Sequence, residues 1–234
     1  MFKRINKSRH KCRQAFTLVE LIVVLVVLAV IAAITIPALV GYIKKAKREN
    51  QVENVYNARE AAQAVMTELY GLGDGNASSS ETTDGNNVLW YKGDDKKWGD
   101  EVLRLMDRGR GVANNEPYIL IVGVGSHKPE AGMTLAEKYT VYYVALVEER
   151  NSPAIFYING NFFYGYPRQD GGSVMDTRNI GGKDFRNTIV YDGAEIPVQF
   201  FIISNRSGLD PNNKNFWTGT DSRSLYSHSD GYAT

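Results

Sequence analysis

The chain has 234 residues, 43% of them hydrophobic, with 27 basic and 26 acidic side chains and a formal net charge of +1. That length holds one fair-sized domain or two small ones, and so balanced a charge does not suit non-specific nucleic-acid binding, which needs a basic surface. Cys12 is the single cysteine, so no intrachain disulfide can hold the fold.

Charge is unevenly placed. Residues 1–15 carry Lys3, Arg4, Lys7, Arg9, Lys11 and Arg13 and no acid. Taking those six from the 27 basic side chains leaves 21 against 26 acidic, a formal net of −5. Every residue from Leu21 to Ile34 is apolar, and the run reaches Val40 interrupted only by Thr35 and Pro37. Residues 16–43 amount to roughly 42 Å of helix, enough to cross a bilayer. With no polar face, such a helix belongs in lipid or in a bundle of like neighbours. A secretory signal peptide is shorter and ends at a small-residue cleavage site, which this run lacks. Lys44, Lys45, Lys47 and Arg48 follow the span, so the excess of cations before it favours a cytoplasmic N-terminus by a modest margin.

Glu20 stands at the mouth of this run. A carboxylate in hydrocarbon costs ~2.5–3.5 kcal/mol on insertion scales, and ionisable groups in such places are functional by default. It asks for a cation, and no Lys or Arg lies near it on the membrane side. Cleavage before Phe16 would create one, the new α-amino group.

The segment Gln14-Ala15-Phe16-Thr17-Leu18-Val19-Glu20-Leu21-Ile22-Val23-Val24 resembles the class III signal of type IV prepilins and pseudopilins. The likeness is close over about residues 10–45 and one of layout beyond. It implies that a membrane prepilin peptidase cuts between Ala15 and Phe16 and N-methylates Phe16. It implies further that Phe16 and Glu20 direct filament assembly, the carboxylate pairing with the ammonium of a neighbour or of its own chain. The implied partners are identical or related pilin subunits, the peptidase, a membrane assembly machinery and, before assembly, the lipid bilayer; no nucleic acid is expected. The family usually has Gly before the scissile bond, whereas this chain has Ala15, the next smallest residue. Pro37 removes one helix donor and crowds the carbonyl of Ala33, so a kink or local melting is expected there, with Gly41 adding flexibility nearby.

Past Lys44, Val52, Val55, Tyr56, Ala62, Val65, Met66 and Leu69 recur at three- and four-residue spacing, the mark of an amphipathic helix with its stripe on a core. Gly71 and Gly73 end it. Residues 71–87 are polar and turn-rich. Trp98, Val102, Leu105 and Met106 suggest a short helix closed near Gly109. Strand patterns follow at Tyr118–Val124, Tyr139–Val147, Ala154–Ile158, Phe162–Tyr166, Thr188–Tyr191 and Ile196–Ile203. Asn159-Gly160 and Asp192-Gly193 read as hairpin turns. The expected fold class is α+β, a long N-terminal helix packed under an antiparallel sheet of four to six strands, as in pilin heads. The expected divisions are a cleaved leader at 1–15, a membrane or filament-core helix at 16–43, its amphipathic continuation at 44–70, a head at 71–204 and a polar tail at 205–234. Phe216, Trp217, Leu225, Tyr226 and Tyr232 either tuck that tail onto the sheet or leave it loose.

No catalytic constellation stands out. His10, His127 and His228 have no metal-ligand spacing. Gly123-Val-Gly125-Ser126-His127 lacks a third Gly and a following helix, so it is not a nucleotide cradle. Asp94-Asp95 with Asp100, and Asp210 with Asn212, match calcium loops only loosely, without the terminal Glu. Asn76-Ala77-Ser78 and Asn205-Arg206-Ser207 are formal glycosylation sequons. The reading is therefore a structural subunit without enzymatic role, metal or cofactor. It starts as a single-pass precursor in the cytoplasmic membrane and ends in an extracellular pilus or cell-envelope filament. The rival is an uncleaved signal anchor carrying an extracellular binding or enzymatic domain, and a DNA-uptake filament is a third reading.

Overall fold

A computed structural model describes residues 17–72, 88–90, 97–108, 115–126, 132–165, 188–191, 194–211, 213–218 and 221–225. The chain divides into two compact units, residues 1–49 and 50–234. Helix α1 (Leu18–Gly71) provides the described part of the first unit and opens the second. It ends at Gly71, where glycine's missing Cβ makes continuation of a helix unfavourable.

In the second unit α1 packs against an antiparallel sheet, the α+β arrangement expected from the sequence. The described elements after α1 are β1 (Val88–Trp90), α2 (Lys97–Leu105), β2 (Ile119–Gly125), α3 (Leu135–Lys138), β3 (Val141–Val147), β4 (Ile155–Ile158), β5 (Asn161–Tyr164), β6 (Thr188–Tyr191), β7 (Ala194–Asn205) and α4 (Lys214–Thr218). The strands run β1-β7-β2-β3-β4-β5 across one sheet, with β6 paired to β7. Among the described residues seven strands exceed the expected four to six, and the added strand β1 pairs with β7 in parallel, Val88 opposite Phe200. Three residues are too short for an alternation to register, so β1, like α3 and α4, went unread in the sequence.

Alternation along the strands divides the core in two. Leu120, Val122, Val144, Leu146, Ile155, Phe201 and Ile203 face α1 and α2, meeting Val55, Ala58, Ala62, Val65, Met66, Val102 and Leu103. Trp98 of α2 stands edge-on to Phe201 at 4.6 Å between ring centres. Two alanines, Ala58 and Ala61, are buried on this helix face alongside the expected larger residues. Tyr56 is instead half exposed; one position round from Val55, it turns towards Phe162 at 6.4 Å.

The opposite sheet face is also covered. Ile119, Ile121, Tyr143, Ala145, Phe156, Ile158, Val198, Phe200 and Ile202 form a second cluster with Phe216, Trp217 and Leu225 from the C-terminal segment. Those three side chains are fully buried. This settles the alternative left by the sequence for residues 213–218 and 221–225: Phe216, Trp217 and Leu225 hold them to the sheet. Tyr226 and Tyr232 lie outside the described residues.

A charged turn closes the described chain. Arg223 Nη2 donates to Asp221 Oδ2 at 2.8 Å and the Arg223 amide donates to Oδ1 at 2.9 Å, holding the Asp221 carboxyl down to about 2. A carboxyl depressed in the folded state contributes stability above its ordinary value near ~4 that is lost as pH falls through its folded one. The Asp221 carboxyl should therefore titrate near pH 2 by carboxyl-carbon NMR, and Arg223→Gln should return it towards the ordinary range.

Three contacts bind helix to sheet with side-chain precision. Gln63 Nε2 donates to the Tyr139 carbonyl at 3.0 Å while its Oε1 accepts from the Val141 amide at 2.9 Å. Tyr164 Oη donates to Gln51 Oε1 at 3.0 Å. Gln63→Met keeps volume and helix propensity but strands both backbone groups at the start of β3. The expected loss of stability is ~1–3 kcal/mol, the cost of unmade hydrogen bonds to buried groups, readable in denaturant titrations.

The glycines in Gly123-Val-Gly125 serve packing. A Cβ on Gly125 would sit 2.1 Å from the Glu137 carbonyl oxygen, and one on Gly123 would sit 2.9 Å from the Tyr143 Cβ. Backbone from α3 thus lies against β2, and the Gly125 amide donates to the Thr140 carbonyl at 3.1 Å. Gly125→Ala must push backbone aside and should destabilise the head by ~1–3 kcal/mol, measured by the same titration.

Candidate assembly site at the helix N-terminus

Thr17 caps α1, and its position explains what Glu20 does locally. The Thr17 amide and hydroxyl both donate to Glu20 Oε2 at 2.8 Å, and the Glu20 amide donates to Thr17 Oγ1 at 3.2 Å. This reciprocal pair is a capping box, which satisfies donors that a helix start leaves without partners. Thr17 is a residue that the charge argument passed over. The Thr-x-x-Glu spacing before an apolar run was the available signal.

A second box gives the comparison. Thr134 and Glu137 cap α3 in the same way, with Thr134 amide and hydroxyl donating to Glu137 Oε2 at 2.7 and 2.6 Å. Those bonds hold the Glu137 carboxyl below its usual range. Both boxes read Thr-Leu-x-Glu. Capping by itself is therefore an ordinary helix start, and what distinguishes Glu20 is the surface that follows it.

That surface is bare. In the described residues 17–49 of the first unit every side chain is exposed except two that are half-buried, with Leu18 at 73% and Ile34 at 72%. The span has a mean hydropathy of 3.1 over its most apolar window, and none of that window is buried. A soluble helix of this kind would leave a continuous apolar surface in water, far beyond the patch size that monomers tolerate. Pro37 lies inside the unbroken helix. Four residues back, the Ala33 carbonyl loses its usual donor, while the Thr35 hydroxyl bonds the Ile31 carbonyl at 3.0 Å.

A model of the prokaryotic N-terminal methylation motif matches residues 10–36. This segment is the class III signal of type IV pilins. The motif is one that marks type IV pilin-like precursors, and here it heads a long hydrophobic helix. Comparisons with curated proteins and with solved structures found no match.

Ala15 and Phe16 lie outside the described residues, as do His10, His127 and His228, Asp94, Asp95 and Asn212 and the sequon at Asn76. Glu20 is in the first turn of α1 and Pro37 well along it, so the structure does not bring these two together. Among the described residues no three His, Cys, Asp or Glu side chains gather as metal ligands. The second sequon is committed to a turn: Asn205 Oδ1 accepts from the Ser207 amide and hydroxyl at 3.2 and 2.6 Å, and its Nδ2 donates to the Leu209 carbonyl at 2.9 Å.

Proposed function

We propose that this chain is a structural subunit of a type IV pilus or pilus-like filament. It inserts as a single-pass precursor with a cytoplasmic N-terminus, loses residues 1–15 to a prepilin peptidase, is N-methylated at Phe16 and polymerises through residues 16–43. The supporting observation is the exposed apolar half of α1 headed by a single carboxylate inside the methylation motif. Lipid covers that surface before assembly and neighbouring helices replace lipid afterwards.

In this reading the Phe16 ammonium supplies the charge that Glu20 lacks. A buried ion pair adds little net stability, because desolvation offsets attraction, and its best-attested use is to fix register. Pro37, which denies the Ala33 carbonyl its usual donor, gives the helix a place to yield when subunits pack. A minor pilin, a secretion pseudopilin and a competence subunit would share this machinery and differ in the head.

Mass analysis of the protein recovered from membranes and filaments tests the reading. The expected N-terminus is Phe16 bearing one added methyl group. A chain recovered wholly with Met1 in place would make it a tethered extracellular domain instead.

A further inference from the structure

Four cations, Lys44, Lys45, Lys47 and Arg48, follow the apolar run before the first carboxylate, Glu49. At 3.6 residues per turn they occupy an arc of about 160° on one side of α1. Lys45 lies 3.8 Å from Glu49 with both side chains well exposed, and such a pair is worth little. Lys44 and Lys47 have no ion-pair partner among the described residues. Tyr42, at 73% exposure, sits just before them, and tyrosine is enriched where membrane meets water.

The spacing to Glu20 matches a bilayer. Lys44 follows Glu20 by 24 positions, about 36 Å of helix rise, or about 34 Å at a common tilt of ~20°. The hydrocarbon core is ~30 Å thick. With the ammonium groups among the outer headgroups, the Glu20 carboxylate therefore falls at the inner boundary, where it can meet a new amine without entering hydrocarbon. Removing residues 1–15 also removes every side-chain cation before Lys44, so the basic bias that placed the precursor passes wholly to the far side.

We propose that Lys44, Lys45, Lys47 and Arg48 form a collar that binds anionic phospholipid headgroups on the outer face of the membrane and holds the subunit at this depth until it is drawn into a filament. Charge complementarity and direct continuity with the span select lipid as the occupant. The inference rests on residues 16–43 being the membrane span.

The test measures which lipid surrounds the collar. No cysteine follows residue 12, so Ile43→Cys on the processed chain gives one site for a fluorophore. The protein is reconstituted in mixed phosphatidylcholine and phosphatidylglycerol vesicles, with either lipid brominated as quencher. Phosphatidylglycerol should quench about fivefold more per molecule, the factor that one cation near an anionic surface supplies. The preference should vanish when all four cations are Gln, and fall in the native chain as salt is raised. Equal quenching by both lipids in the native chain would overturn the proposal, as would a preference that survives the four substitutions. Equal quenching together with cation-dependent cross-linking between copies would assign the collar to a second subunit instead. Failure of the filament reading shows separately, as an intact Met1, and the quenching measurement then runs on the uncut chain with Cys12→Ser added to keep a single label.

Discussion

Trp217→Ala should cost the head ~3–5 kcal/mol, the usual penalty for deleting a large buried aromatic side chain. Trp217 is fully buried. Its ring centre lies 5.3 Å from that of Phe200 and 5.2 Å from that of Phe216, and its Nε1 donates to the Pro211 carbonyl at 2.8 Å. The substitution removes the anchor of the C-terminal segment from the second sheet face and leaves a polar carbonyl without its donor. With no disulfide available, nothing covalent holds that segment down. Trp217→Phe keeps most of the contact area and loses the Pro211 bond, so a smaller loss of ~1 kcal/mol is expected from the hydrogen bond. Denaturant midpoints of the processed protein in detergent measure both. A loss under ~1 kcal/mol for the alanine variant would mean that this segment is not part of the cooperative core.

The second sheet face shows where the sequence was legible and where it was not. The membrane half of α1 could be read because no polar residue interrupts it, and the head half because Val55, Ala62, Val65 and Met66 keep helical spacing. Asn159-Gly160 announced its hairpin, and both residues do have positive φ, 42° and 93°. The strands carried a further signal. Ile119–Val122, Tyr143–Val147 and Ile155–Ile158 are apolar without alternation, the pattern of strands buried on both faces. One helix layer covers only one face, so a second cover was required, and the scattered tail aromatics were the residues available. The five-residue α4 that delivers them has no periodicity to detect. At the N-terminus, the charge of Glu20 drew attention to its missing partner, while the local one, Thr17, followed from spacing alone.

Glu20→Ala should leave membrane insertion and leader cleavage intact and reduce incorporation into filaments by more than about a hundredfold, since breaking a buried charge pair costs ~3–5 kcal/mol and 1.4 kcal/mol is about tenfold. The capping box offers a competing explanation, because alanine also loses the acceptor for the Thr17 amide and hydroxyl. Two further variants separate charge from cap. Glu20→Gln keeps an acceptor that serves in a capping box but cannot neutralise an ammonium, so it should fail nearly as badly as alanine. Thr17→Val removes the hydroxyl and keeps the charge, so only the cap is weakened, by about 1 kcal/mol, and filaments should still form at reduced yield. Pelleted filament against membrane-retained subunit, quantified for each variant, gives the ratios. Normal assembly of Glu20→Gln would reduce Glu20 to a helix cap like Glu137. Failure of Glu20→Gln alongside survival of Thr17→Val assigns the effect to one negative charge, placed where only an amine freed by cleavage can answer it.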